Sequence, residues 1–202
     1  MSVLNFPTLT RSAATITRFS LIANTQTFTS PLNKSVQTSE LPGARWKASV
    51  TWSNLVEADA RAMKAFLARL RGMAGRFYLY DHSHPMPSGT AAGTPLVKGA
   101  SQTGNTLNTD GWTANQSGLL LPGDYLGVNG QMVMVTEPAS ADSGGNATIT
   151  FEAPLRSSPA DNLGIVTYQP TCTMMLIDDE QDQIEFDPER RPSVSIQCVE
   201  AF

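Results

Sequence analysis

The residues best equipped for chemistry are Asp81, His82 and His84, three side chains able to bind metal within the run YDHSHP. Carboxylate and imidazole are suitable ligands, and on an extended strand His82 and His84 would share a face. A proline follows directly, and the chain has only 2 histidines, so no third imidazole can complete a centre. The expectation is a loop whose histidines meet solvent. A second group, Asp178, Asp179, Glu180, Asp182, Glu185, Asp187 and Glu189, has the composition of a calcium loop or of paired acid–base carboxylates. It lacks the glycine and terminal glutamate register of an EF-hand, which favours a solvated hairpin. No GxSxG elbow is present, and KGASQTG and SADSGGN lack the order of a phosphate-binding loop, so Lys98 and Gly99 are not read as a nucleotide site. The sequence therefore predicts no catalytic residue, no metal and no cofactor.

The elements around these groups follow from periodicity. Trp46, Ala48, Val50 and Trp52 alternate with Arg45, Lys47, Ser49 and Thr51, the period of a half-buried strand over 44–52. A helix is expected over 55–71, with Asn54 as cap, Glu57 completing a capping box, and Leu55, Met63, Phe66, Leu67 and Leu70 as its apolar stripe. Glu57 and Asp59 early, with Lys64, Arg69 and Arg71 late, suit the helix dipole, and Gly72 can end the last turn. Phe77–Tyr80 reads as a strand, and 82–94 as a junction. From Pro95 to Tyr168 short strands are expected at 96–97, 119–121, 132–135, 148–151 and 165–168. Turns separate them, with Gly127, Gly130, Gly144 and Gly145 supplying positive φ and Asp124 and Asn129 supplying local hydrogen bonds. Beyond Pro170, strands at 172–177 and 183–186 flank the acidic turn as a hairpin, and Val194, Ile196 and Cys198 alternate in a last strand. The expected fold is mainly β: a β-sandwich with one amphipathic helix, from residues 1–85 plus 168–202, interrupted by an inserted small β-barrel-like module at 86–167.

Composition narrows the function classes. With 41% hydrophobic and 16% charged residues among 202, the chain reads as globular and poor in charge. A net charge of -4 argues against phosphate-neutralising, sequence-specific binding of nucleic acid. The N-terminus has neither a basic start nor a long apolar stretch, so no signal peptide or membrane insertion is expected, and cytoplasmic synthesis is. Cys172 and Cys198 lack CxxC spacing, which favours buried free thiols.

Three stretches, RLRGMAGRFYLYD, VKGASQTGNTLNTDGW and LLPGDYLGVNG followed by GGNATITFEAPLR, resemble the distal tail, or tail-tip, family of long-tailed bacteriophages. The resemblance spans about half of the chain. It implies a structural virion protein of the tail tip, without catalytic residues, that forms a ring of identical copies, a hexamer in expectation. That ring would connect the tail tube protein to the hub or fibre proteins. In such a ring Asp178, Asp179, Glu180 and Asp182 could line the channel, where negative charge repels DNA. An alternative is a carbohydrate- or cell-surface-binding β module of the adsorption apparatus, with Trp112 and Tyr125 as stacking residues.

Overall fold

The computed structural model describes residues 2–10, 13–180, 184–186 and 192–202. The fold is mainly β, with 43% strand and 9% helix. Strands β1 (Leu4–Asn5), β2 (Ile16–Ile22), β3 (Thr25–Thr29), β4 (Val36–Glu40) and β5 (Arg45–Trp52) precede the helix α1 (Glu57–Leu70). After it come β6 (Phe77–Leu79), β7 (Gly93–Val97), β8 (Gly104–Trp112), β9 (Tyr125–Val128), β10 (Gln131–Val135) and β11 (Ala147–Leu155). Strands β12 (Cys172–Leu176), β13 (Ile184–Phe186) and β14 (Pro192–Glu200) complete the described elements.

One sheet runs β1-β6-β12-β14-β5-β2, with β13 also paired to β14. Alternation decides its faces: Trp46, Ala48, Val50 and Trp52 on β5 are buried, as are Val194, Ile196 and Cys198 on β14. They form one core with Met63, Phe66, Leu67 and Leu70 of α1. Full burial of each Val, Ile, Leu, Phe or Met among them contributes roughly 1.5–3 kcal/mol. The other face carries Ser49, Thr51, Ser195 and Gln197, as the polar half of the alternation requires.

The helix is shorter than its sequence signature. It starts at Glu57 behind Val56, without a side-chain cap, while Asn54 sits at φ 57. The capping box does not form because Asn54, at φ 57, lacks the extended backbone of an N-cap and the Glu57 carboxylate accepts instead from the Arg61 guanidinium, while the Leu55 N–H donates to the Pro192 carbonyl at 2.9 Å. At the other end Arg71 rather than Gly72 takes the left-handed cap, at φ 54, with its N–H on the Ala68 carbonyl.

The expected hairpin across the acidic turn is not formed. Strand β12 pairs with β14 at Met174↔Glu200 through Leu176↔Cys198, and β13 pairs with it at Ile184↔Val194 through Phe186↔Pro192. Both are antiparallel to β14 and both lie on its flank away from β5, so the acidic segment is an excursion between two strands running in one direction. Pairing with β14, a nine-residue strand long enough for both, satisfies their backbone groups.

A second, curled sheet has the order β7-β8-β11-β10-β9. Its core includes Val97, Leu107, Leu120, Leu126, Val133, Ile149 and Phe151. Strands β8 and β9 were not expected: GNTLNTDGW carries turn-forming residues throughout, yet it pairs with β11 from Ala147↔Thr109 onward. Gly111, at φ 77, lets β8 pass close under the Thr94 carbonyl, where a Cβ would collide. Conversely, 119–121 and 165–168 supply only isolated bridges, Leu120↔Ala139 and Gly127↔Val166.

The sheets meet at Trp46. Its indole N–H donates to the Met132 carbonyl at 2.8 Å, and its ring lies 5.5 Å from Tyr125 and 5.4 Å from Phe19. Beside it, Arg156 makes two 2.6 Å hydrogen bonds to Glu200, which is 2% exposed.

Strands β3 and β4 form a separate two-stranded ribbon whose residues are all exposed. It prolongs the β2–β5 pair, whose register ends at Ile22↔Arg45, into a projecting arm that starts at Thr25↔Glu40.

Candidate functional site

Strand β6 delivers Tyr80 to the end of the main sheet, where the chain turns sharply through Asp81. That carboxylate is 4% exposed and accepts the Ser83 N–H at 2.9 Å and the Ser83 hydroxyl, the local side-chain bonding that makes aspartate a turn residue. His84 Nδ1 lies 3.3 Å from the other carboxylate oxygen, with the imidazole largely in solvent. The Ser83 hydroxyl is thus engaged by Asp81 rather than by His84, and no nucleophile–base pair is formed.

His82 points elsewhere. Its ring centroid is 4.3 Å from Tyr80, 5.8 Å from Trp52 and 6.0 Å from Phe6. Its Nε2 is buried without a hydrogen-bond partner among the described residues. The expectation that both loop histidines meet solvent holds for His84 and fails for His82, because a ring flanked by Phe6, Trp52 and Tyr80 gains apolar contact there. Among the described residues no three His, Cys, Asp or Glu side chains gather around one point.

Burial lowers the pKa of His82 from 6.5, against a smaller opposing pull from Asp81. The unfolded chain therefore takes up this proton first as pH falls. The stability that neutral His82 contributes is present above about pH 6.5 and is lost as pH drops towards the folded-state value. Urea unfolding at pH about 7.5 and about 5.5 is expected to show a lower midpoint at the acidic value, and His82→Phe should shrink that difference. An equal difference in the variant would assign the effect to another group.

Beside His82 opens a cavity of about 530 Å³, lined by Asn5, Phe6, Thr8, Tyr78, Tyr80, Gln169 and Thr171 among others. Two crossings of the chain between the sheets pass nearby, joined by the Gln169 N–H donating to the Pro85 carbonyl at 2.8 Å. Asp124 pins the first of them: it is 4% exposed and accepts the N–H groups of Ser88 at 2.6 Å, Gly89 at 3.1 Å and Leu121 at 2.8 Å. Its turn role is the one expected from sequence, but its reach to Ser88 and Gly89 carried no sequence signal.

The other candidate residues are placed apart from this cavity. Asp178, Asp179 and Glu180 are exposed; Asp179 accepts the Met73 N–H at 2.8 Å and so fastens the excursion to the turn after α1. Asp182 lies outside the described residues. Trp112 and Tyr125 are not a stacking platform: they are 5% and 8% exposed. The Trp112 indole donates to Thr109 at 2.7 Å, and Tyr125 packs on Trp46, so neither ring has an open face for a sugar.

Cys172 and Cys198 are free and buried, and their register partners are Leu79 and Leu176 rather than each other. Burial pushes the Cys198 thiol up to about 12 and raises that of Cys172 well above its ordinary value. Because the thiolate is the nucleophile, neither should be alkylated by iodoacetamide in the folded protein at pH about 8, and both should be after unfolding in urea. Mass spectrometry of intact protein reads this directly; rapid labelling of the native chain would contradict the burial.

The chain matches no family model and no curated protein sequence.

Proposed function

We propose that the protein is a structural component of a phage tail tip, a virion subunit that forms a ring of copies of itself, hexameric in the reading favoured here. The ring would connect the tail tube to the hub or fibre apparatus, with no catalytic role. The division into 1–85 plus 168–202 and an inserted 86–167 belongs to the same proposal.

The observation that carries it is the β3–β4 arm. A two-stranded ribbon standing alone is marginally stable in water. This one nevertheless exposes Phe28 at 59%, Leu32 at 94% and Val36 at 59%. Its strands TQTFT and VQTSE hold a single charge, Glu40, with Lys34 in the connection, and their Thr, Gln and Ser side chains can hydrogen-bond across a contact. Head-to-tail contacts around a closed rotation give such an arm a neighbour without requiring a self-complementary patch. The low overall charge suits the same use.

Mass measurement and electron microscopy of the purified protein, alone and with its tail tube partner, are expected to reveal a discrete ring. Replacing residues 25–40 by a short Asn-Gly turn should leave the unfolding transition of the body in place but convert rings to monomers. A parent protein that stays monomeric with its partner, or a ring that survives loss of the arm, would count against the reading.

A further inference from the structure

The cavity beside His82 has a chemistry that ring assembly does not use. Among the described residues its lining contains no aspartate, glutamate, lysine or arginine. It offers the amides of Asn5 and Gln169, the hydroxyls of Thr8 and Thr171, and the rings of Tyr78 and Tyr80. Among the described lining residues the one titratable base is His82, which its burial keeps neutral near pH 7, so these residues offer no fixed charge to offset the desolvation of a phosphate, a carboxylate or a metal ion. Amides and hydroxyls donate and accept together, and aromatic rings cover apolar faces.

That division of labour matches a sugar, which presents C–H patches on its ring faces and hydroxyls around its rim. We propose that this cavity binds a short neutral oligosaccharide. At about 530 Å³ it falls in the size range of small-molecule sites, about 300–1,000 Å³. Its platform is fixed: Tyr78 is held in register between Asn5 of β1 and Thr173 of β12, and Tyr80 rests on His82 at 4.3 Å. Rigid strands hold a binding group more closely than loops do. Burial, and after it the neighbouring Tyr168 phenol, raises the pKa of Tyr80, and Tyr168 is itself 60% exposed. The site is separate from Trp112 and Tyr125, which are buried.

The test uses the full chain and saturation-transfer NMR with three probes: maltohexaose, chitohexaose and, as a charged control, oligogalacturonate. Saturable binding of at least one neutral probe is expected, with no competition from oligogalacturonate. Tyr80→Ala and Tyr78→Ala should each weaken it at least tenfold, and the near-isosteric Thr171→Val severalfold without a change in the unfolding midpoint. Absence of binding by both neutral probes would overturn the proposal. So would tighter binding of the acidic probe, or affinities within twofold of the parent in all three variants. Mass measurement on the same samples separates the ideas: an assembled ring without sugar affinity sinks the glycan site alone, and a monomer that binds sugar sinks the ring alone.

Discussion

Arg156→Ala is expected to lower the unfolding free energy by about 3–5 kcal/mol, because it strands a buried carboxylate. The guanidinium gives Glu200 both of its charge-assisted hydrogen bonds, each 2.6 Å, and a further bond to the Ala44 carbonyl at 3.2 Å. The Phe202 ring lies 3.9 Å from the guanidinium carbon and covers it. Without Arg156, Glu200 keeps, among the described residues, the backbone N–H of Trp46 at 3.0 Å as its hydrogen-bond donor. The converse change should be milder: Arg156 is 24% exposed against 2% for Glu200, so in Glu200→Gln the arginine can still find water. The paired variant Arg156→Met with Glu200→Met should recover much of the loss, since well-packed apolar replacements of a buried pair are often neutral. Urea titrations followed by circular dichroism measure all three. A loss below about 1 kcal/mol in Arg156→Ala would demote the pair to the strength of a surface contact.

Trp46→Ala is the second large effect, about 3–5 kcal/mol, the range for removing a buried tryptophan. The ring is 2% exposed, packs on Phe19 and Tyr125, and belongs to the main core. Its N–H is also the partner of the Met132 carbonyl, so the substitution opens a void and frees an acceptor at once. Trp46→Phe separates the two: it fills most of the space and should cost about 1–3 kcal/mol, the range for an orphaned buried acceptor plus a small void. Domain stabilities lie near 5–15 kcal/mol, so Trp46→Ala alone could leave the chain marginal. If the alanine and phenylalanine variants unfold at the same urea concentration, the hydrogen bond rather than the ring is what matters.

The parts of the fold legible in the sequence were those governed by local pattern. The alternation at 46–52 and 194–198, and the stripe Met63, Phe66, Leu67, Leu70, give faces that the structure buries. What could not be read depended on distant partners. Asn54 and Glu57 form a good capping box by spacing, but the chain runs on from the sheet through Leu55, bonded to the Pro192 carbonyl, with Asn54 at φ 57 and unable to act as the cap. GNTLNTDGW looks like turns until β11 supplies its hydrogen bonds. The acidic hairpin failed because the strand satisfying both of its arms comes later in the chain. For the candidate site, DHSHP was singled out, yet as a metal question. Nothing near His82 in sequence announces Phe6, Trp52 or Gln169 as its surroundings. Arg156 and Glu200 likewise lie 44 residues apart with no shared motif.

On the proposed division into a sandwich and an inserted module, the contact of Pro85 with Gln169, where the chain leaves and re-enters the main sheet, gives the insert adjoining ends. Recombination could exchange it for a different sequence without rethreading any strand. The exchange would not be free, however: a replacement must bring its own substitutes for Tyr125 and the Met132 carbonyl, or Trp46 would be left facing water.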